Sequence, residues 1–135
     1  MRIHRGADDA EVPADDEHFT GQVWMTPLFE ADGPGGMNVV RVRFAPSART
    51  HWHSHPDGQM LLVLEGRGRI QSDGGRLMGM EAGDAIFVSS SELHWHGADP
   101  DSRMTHVSVT GVGGTVWNGP AVIDAEYGST VTDSG

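Results

Sequence analysis

The stretch Arg49-Thr50-His51-Trp52-His53-Ser54-His55-Pro56-Asp57-Gly58-Gln59 decides how this chain is read, together with a distant echo of it, Leu93-His94-Trp95-His96. Of the eight histidines, all but His4 and His18 fall in these two segments or at His106. His53 and His55 alternate in an extended run, which puts both rings on one strand face about 7 Å apart. Pro56-Asp57-Gly58 is a turn signal and delivers Gln59 to the start of the next strand, beside those rings. With His94 returning opposite, three imidazoles and one amide oxygen converge. His53, His55, Gln59 and His94 therefore read as the donors of a metal site.

Working outward, the flanking sequence is a succession of short strands. From Met37 to Phe44, Asn38, Val40, Val42 and Phe44 share one face and Arg41 and Arg43 the other. The arginine face should meet water or a partner, and the Val40/Val42/Phe44 face the interior. Gln59 to Glu65 is apolar on both faces: Leu61 and Val63 share the inward parity of Gln59, whereas Met60, Leu62 and Leu64 point away. Such a strand is buried on both sides, so its outer face calls for another sheet or a second subunit, and a homodimer is expected. Asp73-Gly74-Gly75 marks a hairpin, and Glu81-Ala82-Gly83-Asp84 turns the chain into Ala85–Val88. Ser89–Glu92 is a loop without the glycine pattern of a nucleophile elbow. Arg103–Gly111 closes the series, with Met104, His106, Ser108 and Thr110 on one face. Gln22–Phe29 reads as an edge strand ended by Pro27. The sum is nine or ten short strands with no clear helix: an all-β sandwich or barrel of the jelly-roll kind.

The 135 residues make one domain with a single core. Residues 1–18 read as an acidic, solvated arm, 19–127 as the barrel, and 128–135 as a flexible tail. A net charge of -10 argues against nucleic acid, and no apolar run behind the N-terminus suggests a leader or a span. No membrane partner and a cytoplasmic location are expected, with which the lack of cysteine agrees. All nine basic residues are arginine, which excludes lysine Schiff-base chemistry and, with no cysteine, a thiol nucleophile. Proton transfer is left to histidine, carboxylates or metal-bound water.

His-x-His, then Gln59 where an acid often stands, Gly66, Gly83-Asp84 and His94 together resemble the two conserved segments of the cupin superfamily, over residues 37 to 111. The stretches Trp52–Gln59, Leu93–Ala98 and Met104-Thr105-His106 resemble the small bacterial manganese-dependent cupins with hydroxynitrile lyase activity. That resemblance implies His53, His55, Gln59 and His94 as ligands of Mn2+ and His106 as the acid/base. It also implies a small-molecule substrate. His51 departs from the pattern, where a smaller residue is expected, and the proline common shortly before the second-segment histidine is missing.

The residues alone leave the metal open among manganese, iron, cobalt, nickel and zinc. A neutral amide in place of a carboxylate raises the Lewis acidity of the cation and tilts the chemistry toward a non-redox reaction. His96 shares parity with His94 and is the second candidate for proton transfer. Val40, Val42, Phe44, His51, Leu61, Val63 and Thr110 are expected to wall the substrate pocket. The competing readings are a metal-dependent dioxygenase, a sugar-acid isomerase-type cupin, and a cupin that binds a metal or small ligand without catalysis.

Overall fold

A computed structural model describes residues 1–131. Ten strands form in chain order: β1 (Val12–Pro13), β2 (Phe19–Thr20), β3 (Val23–Phe29), β4 (Met37–Phe44), β5 (Arg49–Thr50), β6 (Gln59–Ser72), β7 (Met78–Glu81), β8 (Ala85–Val88), β9 (His94–Ala98) and β10 (Met104–Gly111). One helical turn, α1 (Asp124–Tyr127), follows where no helix was expected.

Every paired strand is antiparallel to its neighbour, in the order β1-β3-β4-β10-β6-β9-β5-β2, with β7 and β8 also on β6. The first half of β6 joins β10 and β8, and its second half joins β9 and β7. One strand thus belongs to both sheets of the jelly roll. The change of sheet falls at Gly66, where φ is +77° and an added Cβ would overlap the Arg103 carbonyl. Only glycine fits that position. Beside it the β6–β10 register slips between Thr105 and His106, leaving Leu64 as the extra residue of a bulge.

Between the sheets lies one core, with Phe19, Val23, Val42, Phe44, Leu61, Val63, Ile70, Met80, Val88 and Met104 at its centre. A second cluster of Trp52, Leu77, Trp95, Val122 and Tyr127 fills the opposite face of β9. This is why β9 is buried at every residue. The Tyr127 hydroxyl donates to the Ala98 carbonyl, and its ring lies under the guanidinium groups of Arg49 and Arg69, at 4.4 and 5.2 Å.

Three expectations need correction. Pro27 does not end β3; the strand runs through it with a register irregularity before Phe29. β1 reaches only Trp24 and Met25, so the outer edge at Pro27 is open and the missing N–H costs nothing there. The acidic segment is largely exposed, but it is not a free arm. Val12 and Pro13 pair with β3, and Asp9 and Glu11 accept from Arg41 and Arg43, the arginine face of β4. Arg43 further lies 4.0 Å over the Trp24 ring. Finally, the strand expected through His51–His55 is regular only at Arg49–Thr50. Beyond it, His53 and Ser54 make single bridges to His94 and Val116.

The tail expected from Gly128 holds Val131, packed against the second cluster; residues 132–135 lie outside the described residues. The outward faces of β6 and β8 carry Met60, Leu62, Leu64 and Phe87, which are 44%, 38%, 53% and 72% exposed. No second sheet covers them among the described residues. Among the described residues no helix is long and apolar enough to cross a membrane.

Candidate active site

The His53–His94 bridge draws the two histidine segments together, and the turn at Pro56–Gly58 does the rest. The Gly58 N–H donates to the His55 carbonyl at 3.0 Å, with Gly58 at φ +79°. The chain reverses there and enters β6 at Gln59. As a result, the His53, His55 and His94 ring centroids lie 4.9, 4.3 and 5.3 Å apart, closer than a regular strand would hold them.

The protons of these rings follow from their partners, because a backbone carbonyl only accepts. His53 Nδ1–H donates to the His51 carbonyl at 2.8 Å, His55 Nδ1–H to Gly114 at 3.1 Å, and His94 Nδ1–H to Glu92 at 2.9 Å. Each neutral ring therefore carries a lone pair at Nε2. His55 Nε2 is buried with no hydrogen-bond partner. His94 Nε2 faces Gln59 Oε1 at 3.0 Å, while Gln59 Nε2 donates to Ser108 Oγ at 2.8 Å. Two acceptors facing each other at this distance repel, and a cation between them relieves the repulsion. About 3 Å is also the separation of two donors at right angles on a metal with bonds near 2.1 Å. Backbone anchoring of Nδ1 with Nε2 turned inward is the outer-shell pattern of ligating histidines. The donor set fits a divalent ion.

His96 was expected as the second candidate for proton transfer, and the structure brings it close to His53 and His94. Its ring nitrogen lies within 4.8 Å of those of His53 and His94, so these three buried rings can also hold a cation. His96 has no carbonyl anchor, however. Its Nδ1 meets His106 Nε2 at 3.3 Å, and its own Nε2 and His106 Nδ1 have no partner. It thus links the histidine cluster to His106, which tilts against Phe44.

Burial lowers the pKa of all five rings. His94 and His106 are each held at about 4. His53 and His96 are pushed well below 6.5, first by desolvation and next by neighbouring imidazoles. All are neutral at pH 7, as ligation or proton acceptance requires.

A cavity of about 190 Å³ adjoins this cluster. Val40, Val42, Phe44 and Thr110 line it as expected, as do His53, His55, Gln59, His96 and His106. His51, Leu61 and Val63 do not. The backbone of His51 is tied to the His18 carbonyl at 2.8 Å, and its half-buried ring lies near His18 and Asp15. Leu61 and Val63 have the expected parity but are spent on the core with Ile70, Met80 and Val88.

Reading the sequence missed Phe19, Met25, Asn38, Thr50, Ser108, Gly114, Thr115 and Trp117 as lining residues. Only Asn38 and Ser108 carried a signal, Asn38 in the face it shares with Val40 and Ser108 in the face it shares with His106. Trp117 stacks on His18 at 4.5 Å and packs on His53 at 4.8 Å, so it is a cavity wall rather than plain packing.

Comparison with known proteins agrees with this geometry. Residues 40–110 match the family model described as Cupin domain. The chain is 41% identical over 109 residues to an (R)-mandelonitrile lyase of Granulicella tundricola, covering 81% of this chain and 83% of that protein. Among solved structures, a cupin-like protein of Thermotoga maritima superposes with a TM-score of 0.81 at 37% identity, over 85% of this chain and 89% of that one. The polyketide cyclase RemF of Streptomyces resistomycificus shares the fold at a TM-score of 0.70 and 21% identity, over 94% and 89%. With the matched family region spanning the histidine segments and the strands that carry them, the chain belongs to the cupin superfamily.

Proposed function

We propose that this cupin is a divalent-metal-dependent carbon–carbon lyase. Its substrates are small hydroxy compounds whose hydroxyl carbon bears a leaving group stable as a carbanion, with cyanohydrins as the model class. The observation that carries the reading is the neutral donor set of His53, His55, Gln59 and His94, set beside a cavity that also holds a neutral histidine pair. The 41% identity to a mandelonitrile lyase supports it.

In this reading His53, His55 and His94 hold the cation through Nε2 and Gln59 through Oε1. Manganese is our assignment, and the same donors suit iron, cobalt, nickel or zinc. The cation supplies Lewis acidity that lowers the pKa of a substrate hydroxyl. His96 accepts the hydroxyl proton at Nε2 and shares the charge with His106 through their 3.3 Å contact. Both rings start neutral because burial disfavours their charged forms. As the carbon–carbon bond breaks, its electron pair leaves on the cyanide carbon, the hydroxyl carbon becomes an aldehyde, and the proton returns to cyanide. Val40, Val42, Phe44 and Trp117 hold the apolar remainder. The cavity has roughly the volume of six waters, room for a molecule with a single ring.

The test is cleavage of racemic mandelonitrile by protein stripped with a chelator and then reloaded with each metal in turn. Benzaldehyde release restored by one or more metals supports the reading. Release no faster than the uncatalysed background with every metal overturns it, and oxygen uptake in the same assay would point to the dioxygenase reading instead.

A further inference from the structure

We infer that Ser108 is the hydrogen-bond donor for the acceptor end of the cavity ligand, a nitrile nitrogen in the proposed reaction. The neutral amide at position 59 is what frees its proton for that purpose. The inference rests on the reading that Gln59 turns its oxygen toward the metal.

Ser108 sits on the inward face of β10 between His106 and Thr110, is buried, and lines the cavity. Gln59 Nε2 donates to its Oγ at 2.8 Å, with the amide oxygen committed to the His94 side. A hydroxyl that accepts from an amide N–H cannot give its own proton back to that nitrogen. Its proton finds no acceptor among the described residues. The residues paired with Ser108 across the sheet are Val40 on β4 and Leu61 on β6, and neither side chain accepts. The open direction is the cavity. A buried hydroxyl proton without a protein acceptor calls for one on the ligand. Donors fixed in advance where negative charge develops are also the most effective electrostatic aid to bond cleavage.

The same chemistry explains why an amide serves here better than an acid. A carboxylate at 59 has no N–H and only accepts, so the Ser108 proton would turn to it and away from the ligand. Gln59 thus performs two tasks through its two ends: an oxygen for the cation and an N–H that directs Ser108.

The experiment uses the metal-loaded protein and phenylacetonitrile, a nitrile that lacks the hydroxyl and cannot be cleaved. Infrared spectroscopy reads its C≡N stretch, which moves to higher frequency when the nitrogen accepts a hydrogen bond. Elemental analysis confirms the metal content of each variant. The wild type should show the upshifted band, Ser108→Thr should keep it, and Ser108→Ala should lose it with binding weakened by about threefold to tenfold. Gln59→Glu should also lose the band, and adding Ser108→Ala to Gln59→Glu should change affinity no further, to within about twofold. An unshifted band in the wild type, or an upshifted one that survives in Ser108→Ala, overturns the inference, as does a lack of saturable binding. Mandelonitrile cleavage with an unshifted band sinks this inference and leaves the lyase reading standing. An upshifted band without cleavage does the reverse.

Discussion

Acidifying the metal-stripped protein tests the buried histidine cluster most directly. His94 and His106 are fully enclosed, and each has its pKa lowered from 6.5 to about 4 by desolvation. The unfolded chain therefore binds more protons than the folded one between about pH 6.5 and 4. Stability is highest above that window, falls through it, and levels off below it. From pH 7 to 4.5 each of these two rings removes about 2 kcal/mol. His53, His55 and His96 act in the same direction. Against a typical domain stability of about 5–15 kcal/mol, that loss is a large share of the apoprotein's margin. Urea denaturation followed by circular dichroism at half-unit pH steps measures it. The midpoint should fall steeply below pH 6.5, and His106→Leu should flatten the slope by about 1.4 kcal/mol per pH unit, one proton's worth. Saturating divalent metal should raise the curve at every pH where it binds, because it holds the folded state with Nε2 unprotonated. An apoprotein whose midpoint is the same at pH 7 and pH 4.5 would refute the reasoning, since neutral buried imidazoles cannot survive that interval without cost.

Other expectations follow from single contacts. His106→Ala should retain its metal by elemental analysis while mandelonitrile turnover falls by about tenfold or more, approaching the roughly 10²–10⁴-fold of a full acid–base contribution if the proton passes on to His106; turnover equal to wild type would remove His106 from the proton path. Tyr127→Ala removes a buried ring held under two guanidinium groups and should cost about 3 kcal/mol or more in urea denaturation. It should also speed metal release to a chelator, because the segment it anchors supplies the Gly114 carbonyl that orients His55. The outer face of one sheet is expected to pair with a second copy. Phe87, Met60, Val109 and Val39 lie abreast in register on β8, β6, β10 and β4, an apolar band roughly 14 Å wide. A contiguous apolar band of this kind marks an interaction surface, and the exposed Arg103–Glu65 pair further along β6 offers both charge signs to a symmetry-related copy. Sedimentation should give a dimer for the wild type and a monomer for Leu64→Glu/Phe87→Asp; a monomeric wild type at micromolar concentration removes the assignment.

What the sequence made legible was whatever the sheet enforces. Alternation put Val40, Val42 and Phe44 on one face of β4 and Met104, His106, Ser108 and Thr110 on one face of β10, and the sheet sets Val40 opposite Ser108 and Val42 opposite His106, because paired strands leave a side chain only two directions. The same rule failed at His51. Its segment is not a regular strand, so the parity it shares with His53 fixes no common face, and its backbone belongs to His18 instead. Parity also tells which face a residue takes but not what fills the space in front of it. Leu61 and Val63 point inward as read, yet they are closed into the core, and the open volume is lined from β3, β4 and β10.

The segments without periodicity hid the most. From Gly113 to Tyr127 nothing in the composition marks a structure, yet Gly114 orients His55, Val116 bridges Ser54, the Pro120 carbonyl takes the Trp52 N–H, and Trp117 walls the cavity. The acidic run before β2 looked equally free, and its carboxylates proved to be the partners of Arg41 and Arg43. In both cases the information is relational. A carbonyl that sets a tautomer, or a carboxylate that meets an arginine on a strand 32 residues away, leaves no local pattern, because its partner is fixed only when the sheet closes. The donors proposed for the metal stood out for the opposite reason. Imidazoles and an amide at His53, His55, Gln59 and His94 are chemically unusual in an apolar interior, so their residue types draw notice before any distance is known.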